Sequence, residues 1–355
     1  MVICFSCVMI LYLIWISYLI LGTKQRMKPP EKQADATMAI IIPTRNHSDT
    51  LNILLSNLQS QITSFDNVQI IVVDDHSEKI PSFETHTEKI KFIRNEGIGK
   101  KNALKTGIQH CQAEWIITLD DDIILPPQWM KILQAECQPM NDVLILPIAI
   151  TPPKGFLHFF QWLEFSILQQ ITHGSANRNT PLLCNGAHLA FKRCVWLTYH
   201  ETNSSIQISS GDDQFLLETA RLQKRKIKFV NQSELVVQTA PCNSWGALFE
   251  QRRRWSSKSA KYQLMDMKML GWITLTSNIG FIYLFSFWTV FPQHLEVIFI
   301  LILYGCVEFL WTEKKAKEQP LSTLLFLLFY PFYVIATMFS FVIFRTHWKG
   351  RGITN

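Results

Sequence analysis

The chain has 355 residues, with 34 lysines and arginines against 28 aspartates and glutamates, a net charge of +6, and 48% hydrophobic but only 17% charged residues. That balance excludes a disordered chain, a collagen-like repeat and a disulfide-rich mini-protein. The thin charge and a load of 24 Phe and 11 Trp also argue against an ordinary soluble enzyme. The apolar residues fall in blocks, which describes a membrane protein carrying one water-facing domain.

Val2 to Leu21 holds no charge, and about 20 apolar residues match one bilayer crossing. The neutral start Met1-Val2-Ile3-Cys4 and the poor cleavage site Ile20-Leu21-Gly22 favour an anchor over a cleaved signal peptide. Lys24, Arg26 and Lys28 follow it, which by the positive-inside rule puts the next domain on the cytoplasmic face. The expected organisation is an anchor over 1–22, a polar linker over 23–37, a water-facing domain over 38–262 and a C-terminal membrane region over 263–355.

Short apolar runs follow the linker: Met38 to Ile42, Val68 to Val73, Lys91 to Ile93 and Trp115 to Leu119. Continuous β-branched runs of this length suit buried parallel strands. Between them, Ser48 to Gln61 places Leu51, Leu54, Leu55 and Leu58 on one helical face, and Lys100 to Cys111 reads as a second helix. Repeated alternation predicts an α/β fold with a mainly parallel, Rossmann-like sheet, whose ligand sits at the strands' carboxyl ends. Those ends carry Pro43-Thr44-Arg45-Asn46, Asp74-Asp75 and Asp120-Asp121-Asp122. The eight cysteines show no metal or disulfide spacing and read as free thiols.

Three successive aspartates after an apolar strand repel one another, and a hard divalent cation with oxygen ligands would neutralise them. A solvated turn is the bland alternative, disfavoured by the strand before the triplet and the helix expected from Pro126-Pro127-Gln128-Trp129 onward. Asp74-Asp75 repeats the arrangement one strand away and could accept hydrogen bonds from a base or sugar, or serve a turn. Gly97-Ile98-Gly99-Lys100-Lys101 opens a helix, a setting that can hold phosphate, but lacks the Walker pattern. Asp212-Asp213 after Gly211 starts another helix, either as helix-capping charge or with a general base. Gln251-Arg252-Arg253-Arg254-Trp255 precedes the second apolar block, where arginines also suit lipid headgroups.

Taken in order, these pieces resemble the membrane-bound family 2 inverting glycosyltransferases of the GT-A fold. The matching motifs are Ile41-Ile42-Pro43-Thr44-Arg45-Asn46, Val72-Val73-Asp74-Asp75, Gly99 to Leu104, Leu119 to Asp122, Gly211-Asp212-Asp213, and Gln251-x-x-Arg254-Trp255. Many members carry an aromatic residue where Arg45 stands and an acid where His47 stands. The resemblance implies nucleotide-sugar contacts from Pro43, Thr44, Arg45, Asp74, Asp75, Lys100, Lys101, Asp120 and Asp121. It implies a Mg2+ or Mn2+ on Asp122 and Asp120, Asp213 as the catalytic base, and Asp212, Gln251, Arg254 and Trp255 at the diphosphate and acceptor.

The donor would be a nucleotide-diphosphate sugar, a UDP-sugar by preference. The helix expected over Phe156 to Phe165, with Phe156, Phe159, Phe160 and Leu163 on one face, packs into a core or lies at the bilayer surface. Leu270 to Phe291, Leu295 to Trp311 and Leu321 to Phe344 each approach a crossing. Three crossings would place the basic tail outside, so one of the first two segments could be interfacial. A lipid or lipid-linked acceptor is the preferred reading. The alternatives are a polysaccharide synthase-type enzyme and a catalytically inactive membrane scaffold of the same fold. Neither nucleic acid nor an obligatory protein partner is expected.

Overall fold

The computed structural model describes residues 1–24, 35–46, 49–78, 88–202, 211–256, 258, 261–311, 318–343, 347–348 and 351–352. Most of the expected linker and parts of the basic tail lie outside them. The chain divides into two compact units: Arg26–Thr151 with Asn179–Ala240, and Met1–Gln25 with Pro152–Arg178 and Pro241–Gly352.

The first of these is the α/β unit. Its strands are β1 (Met38–Thr44), β2 (Val68–Asp74), β3 (Ile90–Arg94), β4 (Trp115–Leu119), β5 (Val143–Ile145), β6 (Ile148–Ile150), β7 (His188–Lys192), β8 (Ile227–Phe229) and β9 (Val237–Thr239). Seven form one sheet in the order β3-β2-β1-β4-β7-β5-β8, and β6 pairs with β9. Pairing is parallel from β3 through β4 and between β5 and β8. β7 runs antiparallel to both neighbours, a reversal that the apolar runs do not encode. Every residue of β1 is buried. Burying each of Ile40, Ile41 and Ile42 contributes about 1.5–3 kcal/mol relative to exposure.

Helices of this unit are α2 (Asp49–Ile62), α3 (Lys100–Gln109), α4 (Trp129–Glu136), α6 (Arg193–Thr202) and α7 (Asp212–Leu222). In α2, Leu51, Leu54, Leu55 and Leu58 are buried, as the 3.6-residue period requires.

The other unit is helical: α1 (Val2–Leu21), α5 (Phe156–Asn177), α8 (Trp245–Ser256), α9 (Met265–Val290), α10 (Leu295–Trp311) and α11 (Pro320–Ile343). Val2–Lys24, Met265–Val290 and Pro320–Ser340 are long and apolar enough to cross a membrane. α10, at 17 residues, is shorter than these three. α5 buries Phe159, Phe160 and Leu163, and Phe160 meets Phe326 and Tyr333 of α11 with ring centroids 4.8 Å apart. α5 and α1 approach backbone to backbone. A Cβ on Gly174 would lie 1.8 Å from the Leu19 carbonyl oxygen, so only glycine fits.

Candidate functional site

Register aligns the strand ends. Thr44 pairs with Asp74 across β1 and β2, and Ile41 pairs with Thr118 across β1 and β4. The acidic residues therefore emerge along one edge of the sheet. Asp121 is buried and accepts a hydrogen bond from Thr44 Oγ1 at 2.7 Å. Asp120 is half-buried and Asp122 exposed.

The first turn of α3 gathers charges from several elements. Gly99, just before it, has φ +90°, a left-handed conformation that favours glycine. Its N–H bonds Asp75 Oδ1 at 2.8 Å, and the Asn95 side-chain amide donates to the same oxygen at 2.7 Å. Lys100 makes a charged hydrogen bond with Asp120. Burial alone would lower the Lys100 pKa. Asp120 outweighs it, with help from Asp213 and Asp122, and holds the ammonium above its ordinary value. Lys101 is buried and its ammonium stands 3.4 Å from Asp212. Tyr199 on α6 also donates to Asp212, at 3.1 Å.

Asp213 sits in the first turn of α7, after Gly211 with φ +93°. Its Oδ2 accepts from the Gly186 N–H at 2.9 Å and its Oδ1 from the Gln214 N–H at 2.9 Å. The Gln214 side chain donates to the Cys184 carbonyl at 2.8 Å, tying segment 184–186 to α7. The Ala187 carbonyl in turn accepts from the Asp120 N–H at 3.3 Å. Asp120, Asp122, Asp213 and Lys100 thus form one cluster.

His188 on β7 carries no sequence motif and follows the segment that holds Asp213. It is fully buried. Its Nε2 accepts from the Trp129 indole at 2.9 Å, and its Nδ1 lies 2.8 Å from the Pro147 carbonyl. These partners define the neutral Nδ1–H tautomer. Burial pushes its pKa down to about 3, against a smaller opposing effect of the Pro147 bond. The unfolded chain binds a proton near pH 6.5 and the folded chain does not, so this stability is present above that pH. It is lost at about 1.4 kcal/mol per pH unit as pH falls toward 3. His173 and His200, both lowered to about 4 by burial first, share the window. The expected result is a pH slope of the unfolding midpoint below pH 6.5 that is shallower in His188→Gln than in the native chain, measured by thermal scans.

At the other end of the edge, Asp74 is half-buried and accepts from the Ser77 backbone N–H and hydroxyl. Asp75 is fully buried. Asn46 and His76, after β1 and β2, both have φ 56°, a conformation uncommon for non-glycine residues and concentrated at functional sites. Pro43 and Thr44 are buried, and Arg45 is half-buried between Thr44 and Asn46.

Gln251, Arg254 and Trp255 lie on α8 in the helical unit. Gln251 and Arg254 are half-buried and Trp255 is exposed. Between them Arg252 is buried, pairing with Glu164 of α5 at 2.7 Å and with its guanidinium 4.2 Å from the Trp255 ring centroid. Arg252 also donates to Gln251. The sequence signals for this pair are one acid in an aromatic helix and one run of three arginines.

Asp120 and Asp122 offer hard oxygen ligands two positions apart. Among the described residues no group of three or more His, Cys, Asp or Glu is arranged to hold a metal ion. Mg2+ and chemically similar ions need only one or two carboxylates when waters and a substrate's phosphates complete the shell. The donor set fits such an ion.

A seven-stranded, mainly parallel sheet with acidic strand ends and an antiparallel β7 defines a GT-A fold. Residues 39–196 match the model of glycosyl transferase family 2. The chain is 28% identical over 113 residues to an undecaprenyl-phosphate 4-deoxy-4-formamido-L-arabinose transferase of Shewanella sediminis, covering 30% of this chain and 34% of that protein. A Pseudomonas fluorescens protein of the same name is 28% identical over 116 residues, with the same coverage. The chain thus spans about a third of the length of these curated relatives. Among solved structures, a mannosyltransferase from Pyrobaculum calidifontis in complex with GDP-Man and Mn2+ superposes with a TM-score of 0.56 at 14% identity. That match covers 95% of this chain and 99% of the other and concerns the fold.

Proposed function

We propose that this chain transfers a sugar from a nucleotide-diphosphate sugar to a hydroxyl of a lipid or lipid-linked acceptor at a membrane, with inversion and with a divalent metal. The observation that carries the reading is the grouping of Asp120, Asp122 and Asp213 around Lys100. Asp122 and Asp120 would hold Mg2+ or Mn2+. Bound there, the ion would neutralise the leaving diphosphate and orient it. Lys100 adds positive charge at the same place. Asp213, oriented by two backbone N–H groups, would take the proton of the attacking hydroxyl. One displacement at the anomeric carbon inverts it and needs no covalent enzyme intermediate.

Three helices of crossing length and the undecaprenyl-phosphate in the relatives' names support a lipid acceptor. The basic residues after α1 support a cytoplasmic active site, with Gln251, Arg254 and Trp255 serving diphosphate and acceptor. The test is a screen of UDP- and GDP-sugars with membranes containing the protein and a total lipid extract, read by mass spectrometry. The expected result is a new glycolipid that disappears with chelator and returns with Mg2+ or Mn2+. Label retained in an insoluble polymer would instead identify a polysaccharide synthase.

A further inference from the structure

Lys100 and Lys101 are consecutive, yet their ammonium groups go to different elements. Residues one apart on a helix point about 100° apart. Lys100 reaches Asp120 at the end of β4, and Lys101 reaches Asp212 at the start of α7. Two cations in the first turn oppose the helix dipole, which favours anions there. Helix stability therefore does not explain this pair of residues. Lys101 is only 7% exposed, and its ammonium lies 6.0 Å from the Tyr199 ring centroid. Tyr199 donates to Asp212 Oδ1, the oxygen that Lys101 also faces. Buried ion pairs are weak sources of stability and are better attested in fixing register.

We propose that Lys101, with Asp212 and Tyr199, is a positioning device that fixes the first turn of α7 so that Asp213 stands in register with the carboxylates at the end of β4. Lys101 touches no substrate in this assignment and acts through Asp213. The proposal rests on the reading of Asp213 as the base. Gly186 restrains the Asp213 carboxylate from one side, and the Lys101–Asp212–Tyr199 group restrains the adjoining residue. A displacement of about 1 Å at a reacting group can cost up to about 100-fold in rate.

The experiment compares the full chain in detergent with Lys101→Met, Lys101→Arg, Asp213→Asn and the Lys101→Met/Asp213→Asn double variant. Steady-state nucleoside diphosphate release is followed from a panel of UDP- and GDP-hexoses with a total lipid extract. Lys101→Met is expected to lower kcat about 10- to 100-fold at unchanged donor KM, and Lys101→Arg to recover part of it. In the Asp213→Asn background Lys101→Met is expected to add nothing. Equal fold-losses in both backgrounds, or a native kcat in Lys101→Met, overturn the positioning role. A native rate in Asp213→Asn overturns the base assignment instead. Amide hydrogen exchange over residues 211–216 gives a readout independent of turnover. Faster exchange in Lys101→Met than in Lys101→Arg is expected, and unchanged exchange overturns the proposal.

Discussion

Asp213→Asn is expected to lower transfer to a hydroxyl acceptor by about 10²- to 10⁴-fold, the usual contribution of a positioned general base, while donor binding persists. The substitution keeps the shape of the side chain and an oxygen that accepts from Gly186 or Gln214, both bonded to Asp213 here. It removes the capacity to accept a proton. The donor end should be spared, because Asp120 and Asp122 approach Lys100 from β4, not from α7. The measurement is a kcat comparison with a parallel donor-binding titration. The result also separates two acceptor chemistries. A phosphate oxygen is already anionic near neutral pH and needs no base, whereas an alcohol must lose its proton during attack. Loss of turnover with intact binding supports an alcohol, and turnover within a few-fold of native would point to a lipid phosphate.

The α/β order and the strand ends were legible because they depend on local chemistry. β-branched runs form strands, and the aspartates at the ends of two of them mark the sheet's carboxyl edge. β7 was not legible as antiparallel, since His188-Leu189-Ala190-Phe191-Lys192 carries no mark of direction. The same limit applies to partners distant in sequence. Nothing in the sequence around Lys101 points to Asp212, 111 positions away by number, which its ammonium faces in the fold. His188 had no motif at all. Its role comes from Trp129 and Pro147, which converge on it only after the sheet has formed. Glycines at 99 and 211 were visible as helix openings, while the positive φ that requires them is a property of the folded backbone.

Arg252→Met is expected to destabilise the helical unit by about 3–5 kcal/mol, because it leaves Glu164 as an uncompensated buried charge. Arg252 and Glu164 are 6% and 7% exposed, and two guanidinium nitrogens reach the same carboxylate oxygen at 3.0 and 2.7 Å. Burial alone would lower the Arg252 pKa, but Glu164 outweighs it and raises it. Each member compensates the burial of the other, and removing either exposes the full desolvation cost of the one that remains. Replacing both, as Glu164→Leu/Arg252→Met, should return the unfolding midpoint close to the native value, since a matched apolar pair in place of a buried ion pair is often neutral or stabilising. Transfer should not return with it. Arg252 also donates to Gln251 and stacks on Trp255, the residues assigned here to diphosphate and acceptor, and methionine offers neither a donor nor a planar cation. Thermal unfolding in detergent and transfer assays on the same preparations read the two effects separately. A double variant that recovers both stability and turnover would limit the pair to holding α8 against α5. Recovered stability with low turnover would show that the ion pair sets the orientation of the α8 side chains.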